Sequence, residues 1–421
     1  MNFQPYAVNQ SQLIGTFAPE QILRGKVLDI LPDRTALLQM GTQQVVAKVG
    51  VIDPPLKTGQ EYLFQMQQQS NTLLAKVVTR RTAAEGEPSS SMVDDVLNAF
   101  RLKDEPVTRE LIHSFLDQGD PLTRDSINAA GALIKGGGNH SEDIQALHWM
   151  VQRELPLSPN IFQIAKLLNQ TDRPITDRLN HLLQSLNTLP ETNAAASLKA
   201  AISNLLSTMG KPTDFAQAPP LFQIMKQLGL DLEGTWKRQW IEQGNLKPTG
   251  TLKEALMAVT DNQAIPTHLR AEAEQIVQQL TGQQLQMLNP DTMAAQFTLQ
   301  LPLPYQKQLQ NLTVYWEGKK DRKGTIDPAY CTLLLCLDLS HLSQTLISVR
   351  VQNREVSLRV QNSTADLRPY LKAKEKELAK QLEALDYHLN SVLQTDGIDP
   401  FLIKKAAEPL TARNNHLDVK A

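Results

Sequence analysis

The sequence is poor in cysteine, in net charge and in long apolar runs. Only two of its 421 residues are cysteines, which is typical of a protein in a reducing compartment. Its 42 basic and 44 acidic residues give a net charge of −2, too little to draw the chain to nucleic acid or to an anionic membrane. The longest wholly apolar run lies within 333–337, and the amino terminus lacks a secretory signal. We therefore expect a cytoplasmic protein without membrane insertion.

The sequence also lacks the short motifs that mark common catalytic sites. None of its eight histidines belongs to a His-Glu-x-x-His zinc motif, and no Gly-x-Ser-x-Gly segment occurs. The glycine run 136–138 is not followed by lysine, so it is not a phosphate loop. Cys331 and Cys336 lie five residues apart on a predicted strand and therefore on opposite faces, which argues against a bridge or a shared metal. These absences predict a non-enzymatic protein with no cofactor and no metal.

Five short apolar segments occupy 22–78 near the start of the chain. They are separated by turn signals, a pattern typical of a small β-barrel of the SH3-like or OB-like kind. An OB-like barrel that binds single-stranded nucleic acid needs aromatic platforms in a basic groove. Basic and acidic residues balance here instead: Lys26, Lys48 and Lys76 against Asp29, Asp53 and Glu61. A structural or protein-docking barrel over 1–80 is the first interpretation, and a nucleic-acid-associated adaptor is the alternative.

Helical periodicity follows a small polar linker. The linker covers 81–92, and the all-α helical domain covers 93–283. A recurrent phrase of proline, an aliphatic residue and Thr or Ser supplies helix caps and hydrophobic staples. Further helices are predicted at 142–153, 194–207, 221–243, 251–259 and 269–280. Trp236 and Trp240 share one helix face, which we expect to be buried, with an exposed partner site as the alternative.

The carboxyl-terminal part alternates apolar and polar residues with a period of two, which indicates half-buried antiparallel strands. The last two strands are separated by a few polar residues that include Asn353 and Arg354. If these two residues form the hairpin turn, three apolar pairs fall on one side of the sheet. Asn353 tolerates positive φ at such a turn and Arg354 does so poorly, so a longer loop is the alternative. The expected pairs are Val351–Val356, Val349–Leu358 and Ile347–Val360.

A long amphipathic helix, reaching to about residue 393, is predicted after these strands. Its stripe comprises Leu367, Leu371, Leu378, Leu382 and Leu385. Packing of this stripe on the sheet would give a compact α+β domain over 284–395, followed by a flexible tail over 396–421. The predicted fold class is therefore α+β multidomain. It comprises a small amino-terminal β-barrel, a central all-α helical domain and a carboxyl-terminal antiparallel sheet packed on a long helix.

This strand–hairpin–helix arrangement resembles the carboxyl-terminal domain of the flagellar hook-length control protein family. It is a pattern of hydrophobic spacing without a catalytic signature. Where the family commonly has a Pro-Glu-Glu-Leu-Gly-like turn before the central hairpin, this sequence reads Ser340-His341-Leu342-Ser343-Gln344. The residues that carry the resemblance are Leu337-Asp338-Leu339, Leu342, Ile347-Ser348-Val349-Arg350-Val351, Val356-Ser357-Leu358-Arg359-Val360, Arg368, Leu371, Leu378, Leu382 and Leu389, after an upstream Leu299-Gln300-Leu301-Pro302-Leu303.

The resemblance implies a partner, a location and a set of partner-binding residues. The implied partner is the cytoplasmic domain of the switch component of the flagellar type III export gate. A chain of this kind works in the cytoplasm and is a candidate for export by the flagellar apparatus. The basic edge of its last helix would make binding to an acidic surface sensitive to salt. The candidate partner-binding residues are Asp338, Leu339, Leu342, Gln344, Arg350, Arg359, Arg368, Lys372 and Lys376.

Overall fold

The computed structural model describes residues 17–32, 35–40, 43–50, 55–69, 72–78, 90–134, 140–169, 174–188, 190–207, 220–288, 294–305, 308–320, 326–339 and 341–402. The chain divides into two compact units between Gln163 and Ile164. The first unit contains a β-barrel and helices, and the second contains helices and a sheet. The predicted α+β multidomain class is confirmed.

Five strands of the first unit close into a barrel in the order β1-β2-β3-β5-β4, with β1 antiparallel to β4 and β3 parallel to β5. This Greek-key order is that of an OB-type barrel. Alternate residues point inward, so Leu38, Phe64 and Met66 are almost completely buried. The strands are β1 Ile22–Ile30, β2 Thr35–Met40, β3 Gln43–Val49, β4 Glu61–Gln69 and β5 Thr72–Val77.

The first helix of this unit, α1, starts at Ser90, which lies inside the predicted linker of 81–92. The linker residues before it lie outside the described part of the chain. Ile22 of the barrel and Leu122, which follows α2, exchange two main-chain hydrogen bonds of 2.7 and 2.9 Å. Trp149 is fully buried, as expected for a residue that packs between helices. The helices are α1 Ser90–Phe100, α2 Pro106–Gln118, α3 Arg124–Ile134, α4 His140–Gln152 and, across the division between the units, α5 Pro159–Asn169.

The second unit begins with a group of helices. The helices predicted at 194–207, 251–259 and 269–280 are confirmed as α7, α10 and α11 below. The bounds are α6 Ile175–Leu186, α7 Asn193–Ser207, α8 Pro220–Leu228, α9 Leu232–Gln243, α10 Leu252–Asp261 and α11 Thr267–Met287.

The helix predicted over 221–243 is two helices, because the chain turns at Gly229. This residue has a φ of +83°, and a β-carbon added to it would lie 2.9 Å from Cβ of Lys253. The turn therefore needs glycine for its backbone angle and for the close approach of α10. Beyond it, Leu232 is the buried residue of α9, and Trp240 is 63% exposed. The expected burial is wrong for Trp240, and Trp236 is only half-buried, because α9 buries Leu232 near its start instead of this face.

The sheet of the second unit has the order β11-β10-β9-β8-β7-β6. Its first five strands in chain order pair antiparallel, as predicted, and β11 pairs parallel with β10. The last helix ends at Glu383, so its predicted extension to about 393 is wrong and the chain returns to the sheet as a sixth strand. The bounds are β6 Ala294–Tyr305, β7 Gln308–Lys320, β8 Ile326–Leu339, β9 Ser343–Gln352, β10 Glu355–Gln361, α12 Arg368–Glu383 and β11 His388–Thr395.

The hairpin between β9 and β10 has the shorter of the two expected turns. Asn353 and Arg354 both adopt positive φ, at 51° and 66°. All three expected apolar pairs are confirmed, including Val351 opposite Val356. Arg354 is supported by an ion pair of 2.8 Å from its Nη1 to Asp386 Oδ2, and its guanidinium lies over the ring of Tyr387. These contacts with the two residues before β11 stabilise a backbone conformation that arginine rarely adopts.

The two faces of the sheet have different coverings. The inner face carries Val314, Leu335 and Val349. At β6 and β7 its side chains share a hydrophobic core with the helices α6–α8, α10 and α11, and at β9 and β10 they pack against α12. The outer face carries Tyr315, Leu334 and Leu346. Residues from these helices and from β6 and β7 share one hydrophobic core, so the compact unit does not divide at the predicted boundary of 283/284. Periodicity reveals that a helix has an apolar face, but not which element that face meets.

Candidate functional site

The predicted partner-binding turn connects β8 to β9. Asp338 pairs with Gln344, and Leu339 pairs with Ser343, which has a φ of +53°. Ser340 lies outside the described residues. Asp338 and Gln344 are exposed and Leu342 is half-buried, so polar groups and one apolar side chain are accessible together.

A single buried amide holds this turn in place. Asn362 is 1% exposed, and its Nδ2 donates to the main-chain oxygen of Leu342 over 2.7 Å and to Oγ1 of Thr345 over 2.8 Å. Its Oδ1 accepts from the main-chain N–H groups of Thr364 and Ala365, both over 2.8 Å. All these groups would lose a partner if the amide were removed. The turn is therefore pre-organised by a side chain that sequence reasoning missed, since a single asparagine gives no periodic signal.

Four of the predicted polar residues share the outer face of the sheet. Asp338 on β8, Gln344 and Arg350 on β9, and Arg359 on β10 all occupy outward positions in the strand register and are exposed. Arg350 on β9 pairs with Ser357 on β10, and Arg359 is the next residue of β10 on the same face. Arg350 and Arg359 are therefore diagonal neighbours across the two strands. The outer face thus presents a basic pair on one part and a carboxylate at the turn.

The remaining three predicted residues lie on α12, over the inner face. Arg368 donates to Asp396 over 2.7 Å and also lies near Asp366 at 3.6 Å. The hydrogen bond with Asp396, followed by the charges of both carboxylates, raises the pKa of Arg368 above its ordinary value. Lys372 and Lys376 are exposed on the same helix. The predicted set therefore forms two surfaces on opposite sides of the sheet.

The first part of the predicted flexible tail, residues 396–402, packs against the sheet. After β11, Ile398 and Leu402 pack against the outer-face cluster of Tyr315, Leu334 and Leu346. The main-chain N–H of Asp399 donates to Gln361 Oε1 over 2.9 Å. Residues 403–421 lie outside the described part of the chain. The segment 396–402 is thus part of the packed unit, because its two apolar side chains cover an apolar patch that would otherwise face water.

The two cysteines lie on opposite faces, as expected from their spacing. Cys331 belongs to the inner-face cluster with Val351 and Val356, and Cys336 packs beside the outer-face cluster. Burial raises the pKa of the Cys336 thiol to about 11. Burial and, to a smaller extent, the charge of Asp327 raise the pKa of Cys331 as well. Both thiols are therefore poor nucleophiles at neutral pH.

Within the described ranges, no three His, Cys, Asp or Glu side chains come close enough to share a metal ion. In the same part of the chain, none of the helices combines the length and the apolar character that crossing a bilayer requires.

Comparison with known proteins gives one match of uncharacterised function. Over 157 residues, or 36% of this chain, the sequence is 28% identical to "Uncharacterized protein YlqG" of Bacillus subtilis (strain 168). The match spans 26% of that relative's own length, about a quarter. No family model matches the chain, and no solved structure matches it.

Proposed function

We propose that the outer face of the carboxyl-terminal sheet, with the adjoining β8–β9 turn, forms a protein-docking surface that acts by binding and carries out no chemistry itself. The observation that supports this most directly is the β8–β9 turn, exposed to solvent and held by the buried Asn362. A turn held in one conformation loses little entropy when a partner covers it, which favours binding. The hairpin register matches the pattern that links this segment to the hook-length control family.

The proposed partner is the cytoplasmic domain of the switch component of the flagellar type III export gate. This identity follows from the resemblance to the family, and it places the complex in the cytoplasm. The docking surface is the outer face with its adjoining turn, where Arg350 and Arg359 meet an acidic patch of the partner. Raising the ionic strength from about 0.05 M to about 0.5 M should weaken such a complex markedly, since exposed charges are screened within a shorter distance.

Titration of the full chain against that domain tests the proposal. The double variant Arg350→Glu and Arg359→Glu should bind at least tenfold more weakly, equivalent to about 1.4 kcal/mol. The matched variant Lys372→Glu and Lys376→Glu changes charge by the same amount on α12 and should bind nearly as the parent does. Weakening by the α12 variant alone would move the docking surface to the helix. Absence of binding by the parent chain at low ionic strength would refute the partner.

The alternative adaptor function of the barrel gains no support from its surface. Tyr62 and Phe64 lie in the barrel core, at 6% and 0% exposure, so neither ring offers a platform on which a base could stack. Arg24 lies 4.0 Å from Glu61, which offsets its charge. A gel shift with single-stranded DNA remains the direct check, and we expect no shift at physiological salt.

A further inference from the structure

Three polar side chains of the first unit form a connected chain of hydrogen bonds. Ser114 Oγ on α2 lies 2.8 Å from Nε2 of His148 on α4. Nδ1 of the same imidazole is hydrogen-bonded to Oδ2 of Asp120. The side chains of His148 and Asp120 are only 8% and 5% exposed. The residues are separated by 34 and 28 positions in sequence, so no local motif reveals them.

The end of α2 brings these groups together. Gly119 has a φ of +71° and ends the helix, and the next N–H, that of Asp120, donates to the oxygen of Phe115. This turn directs the Asp120 carboxylate toward α4. The ring of Phe115 meets the imidazole edge-on, with centroids 4.8 Å apart, which limits rotation of His148.

This connectivity sets the role of each nitrogen. A buried carboxylate that accepts from Nδ1–H fixes the imidazole tautomer and leaves Nε2 as an acceptor. Nε2 then accepts a hydrogen bond from the Ser114 hydroxyl, which is the arrangement that makes a serine oxygen nucleophilic. The order serine, histidine, carboxylate is therefore present with the nitrogens in the orientation that general-base catalysis needs.

Ser114 and His148 also border a cavity of about 620 Å³, which is within the size range of small-molecule sites. Two carboxamides line the same cavity. Gln118 lies one turn beyond Ser114 on α2, and Gln145 lies one turn before His148 on α4. Their N–H groups are neutral donors of the kind that stabilise a developing oxyanion. The nucleophile, its base and candidate donors thus face one volume.

We propose that Ser114 is the nucleophile of an acyl-transfer site, with His148 as general base and Asp120 as a positioning residue. The substrate class is a small carboxylic ester that fits the cavity. As Ser114 Oγ bonds to the carbonyl carbon, its proton moves to His148 Nε2. The carbon–alkoxy bond then breaks, and the leaving oxygen takes that proton. Attack by water, again deprotonated by Nε2, breaks the Ser114 ester and returns the proton to Oγ.

Two experiments on the full chain test this proposal: labelling with a fluorophosphonate and turnover of p-nitrophenyl acetate. We expect covalent mass addition that peptide mapping assigns to Ser114. Ser114→Ala should abolish labelling, and His148→Gln should slow it at least about 100-fold. Ser203 and His268 are exposed in the second unit and do not line the cavity, so Ser203→Ala and His268→Gln are matched controls that should label normally. Labelling of Ser114 at an equal rate in the His148→Gln variant would overturn the proposal, as would no labelling of the parent chain.

The role of Asp120 needs a readout that a purely structural residue would not change. Hydrogen bonding of Nδ1–H to a carboxylate shifts its proton resonance to low field. This signal should be present in the parent chain and in Ser114→Ala, and absent in Asp120→Asn. The Asp120→Asn chain should also label at least about 100-fold more slowly while its unfolding midpoint stays near that of Ser114→Ala. Normal labelling of Asp120→Asn would remove Asp120 from the site.

Discussion

The Nδ2 of Asn362 donates a hydrogen bond of 2.7 Å to the main-chain oxygen of Leu342, across the base of the turn between β8 and β9. Asn362 lies just after β10, so one buried amide couples the turn to the loop that leads into α12. The turn thus keeps its shape through contacts from outside it. The rigidity of the proposed docking surface therefore depends on a residue that is itself inaccessible to a partner.

Replacing Asn362 with Ala should lower the free energy of unfolding by about 1–3 kcal/mol, because buried groups at Leu342 and Thr345 lose their partner. Denaturant unfolding measures the loss, and amide hydrogen exchange should become faster at 342–345. The matched control is Asn390→Ala, since Asn390 is exposed and should change stability by no more than about 0.5 kcal/mol. Equal effects of the two variants would contradict this account.

The leucine stripe predicted for the last helix divides into packed and exposed members. Leu382 on α12 belongs to the cluster of Val351 and Val356, whereas Leu385 lies beyond the end of α12 and is 65% exposed. Leu382→Ala should therefore destabilise the unit by about 1–2 kcal/mol, a partial-burial value, and Leu385→Ala should be nearly neutral. Thermal or denaturant unfolding distinguishes them, and a larger cost at Leu385 would show that α12 lies differently on the sheet.

Alkylation of Cys336 should depend steeply on pH in the folded chain. Burial raises the pKa of its thiol to about 11, so about one molecule in 1,000 carries the reactive thiolate at pH 8. In a Cys331→Ala background, the rate of reaction with iodoacetamide should rise about tenfold per pH unit and level off near pH 11. Unfolding the same chain in urea should move the plateau to about pH 8.5. A plateau near that lower pH in the folded chain would show that the thiol is not buried.

The ion pair between Glu233 and Lys253 in the second unit should make the stability of the protein sensitive to acid. Glu233 Oε1 lies 2.5 Å from Nζ of the buried Lys253. Burial alone would raise the pKa of Glu233, but hydrogen bonds from Lys253 and Gln284 outweigh it and hold the pKa below its usual value. The unfolded chain then binds the proton more readily, so this contribution is present above about pH 4.3 and is lost as the pH falls further.

The Glu233→Gln variant should therefore show a flatter loss of stability below about pH 4.3 than the parent chain. Unfolding by denaturant at a series of pH values measures this difference. Glu242 is an exposed carboxylate on the same helix, and Glu242→Gln is the matched control that should leave the curve unchanged. A parent curve that coincides with that of Glu233→Gln would show that the pair does not contribute.

The sequence predicted the elements whose side-chain spacing repeats. Alternation with a period of two placed the strands of the barrel and of the sheet, and it predicted the pairing of Val351 with Val356. A shift by one residue would have turned every apolar side chain of that hairpin to the other face, so local pattern and burial specify one register. The spacing did not predict that the candidate docking residues divide between two surfaces of the sheet.

What the sequence determined by itself is therefore local: which segments extend or coil, and how neighbouring strands align. Only the tertiary structure decided that β11 joins β10, that Asn362 holds a distant turn, and that Ser114 meets His148. Each of these contacts joins residues that are separated along the chain and that follow no period. Their formation depends on how packed elements bring single polar groups within hydrogen-bond distance, and a one-dimensional pattern does not contain that information.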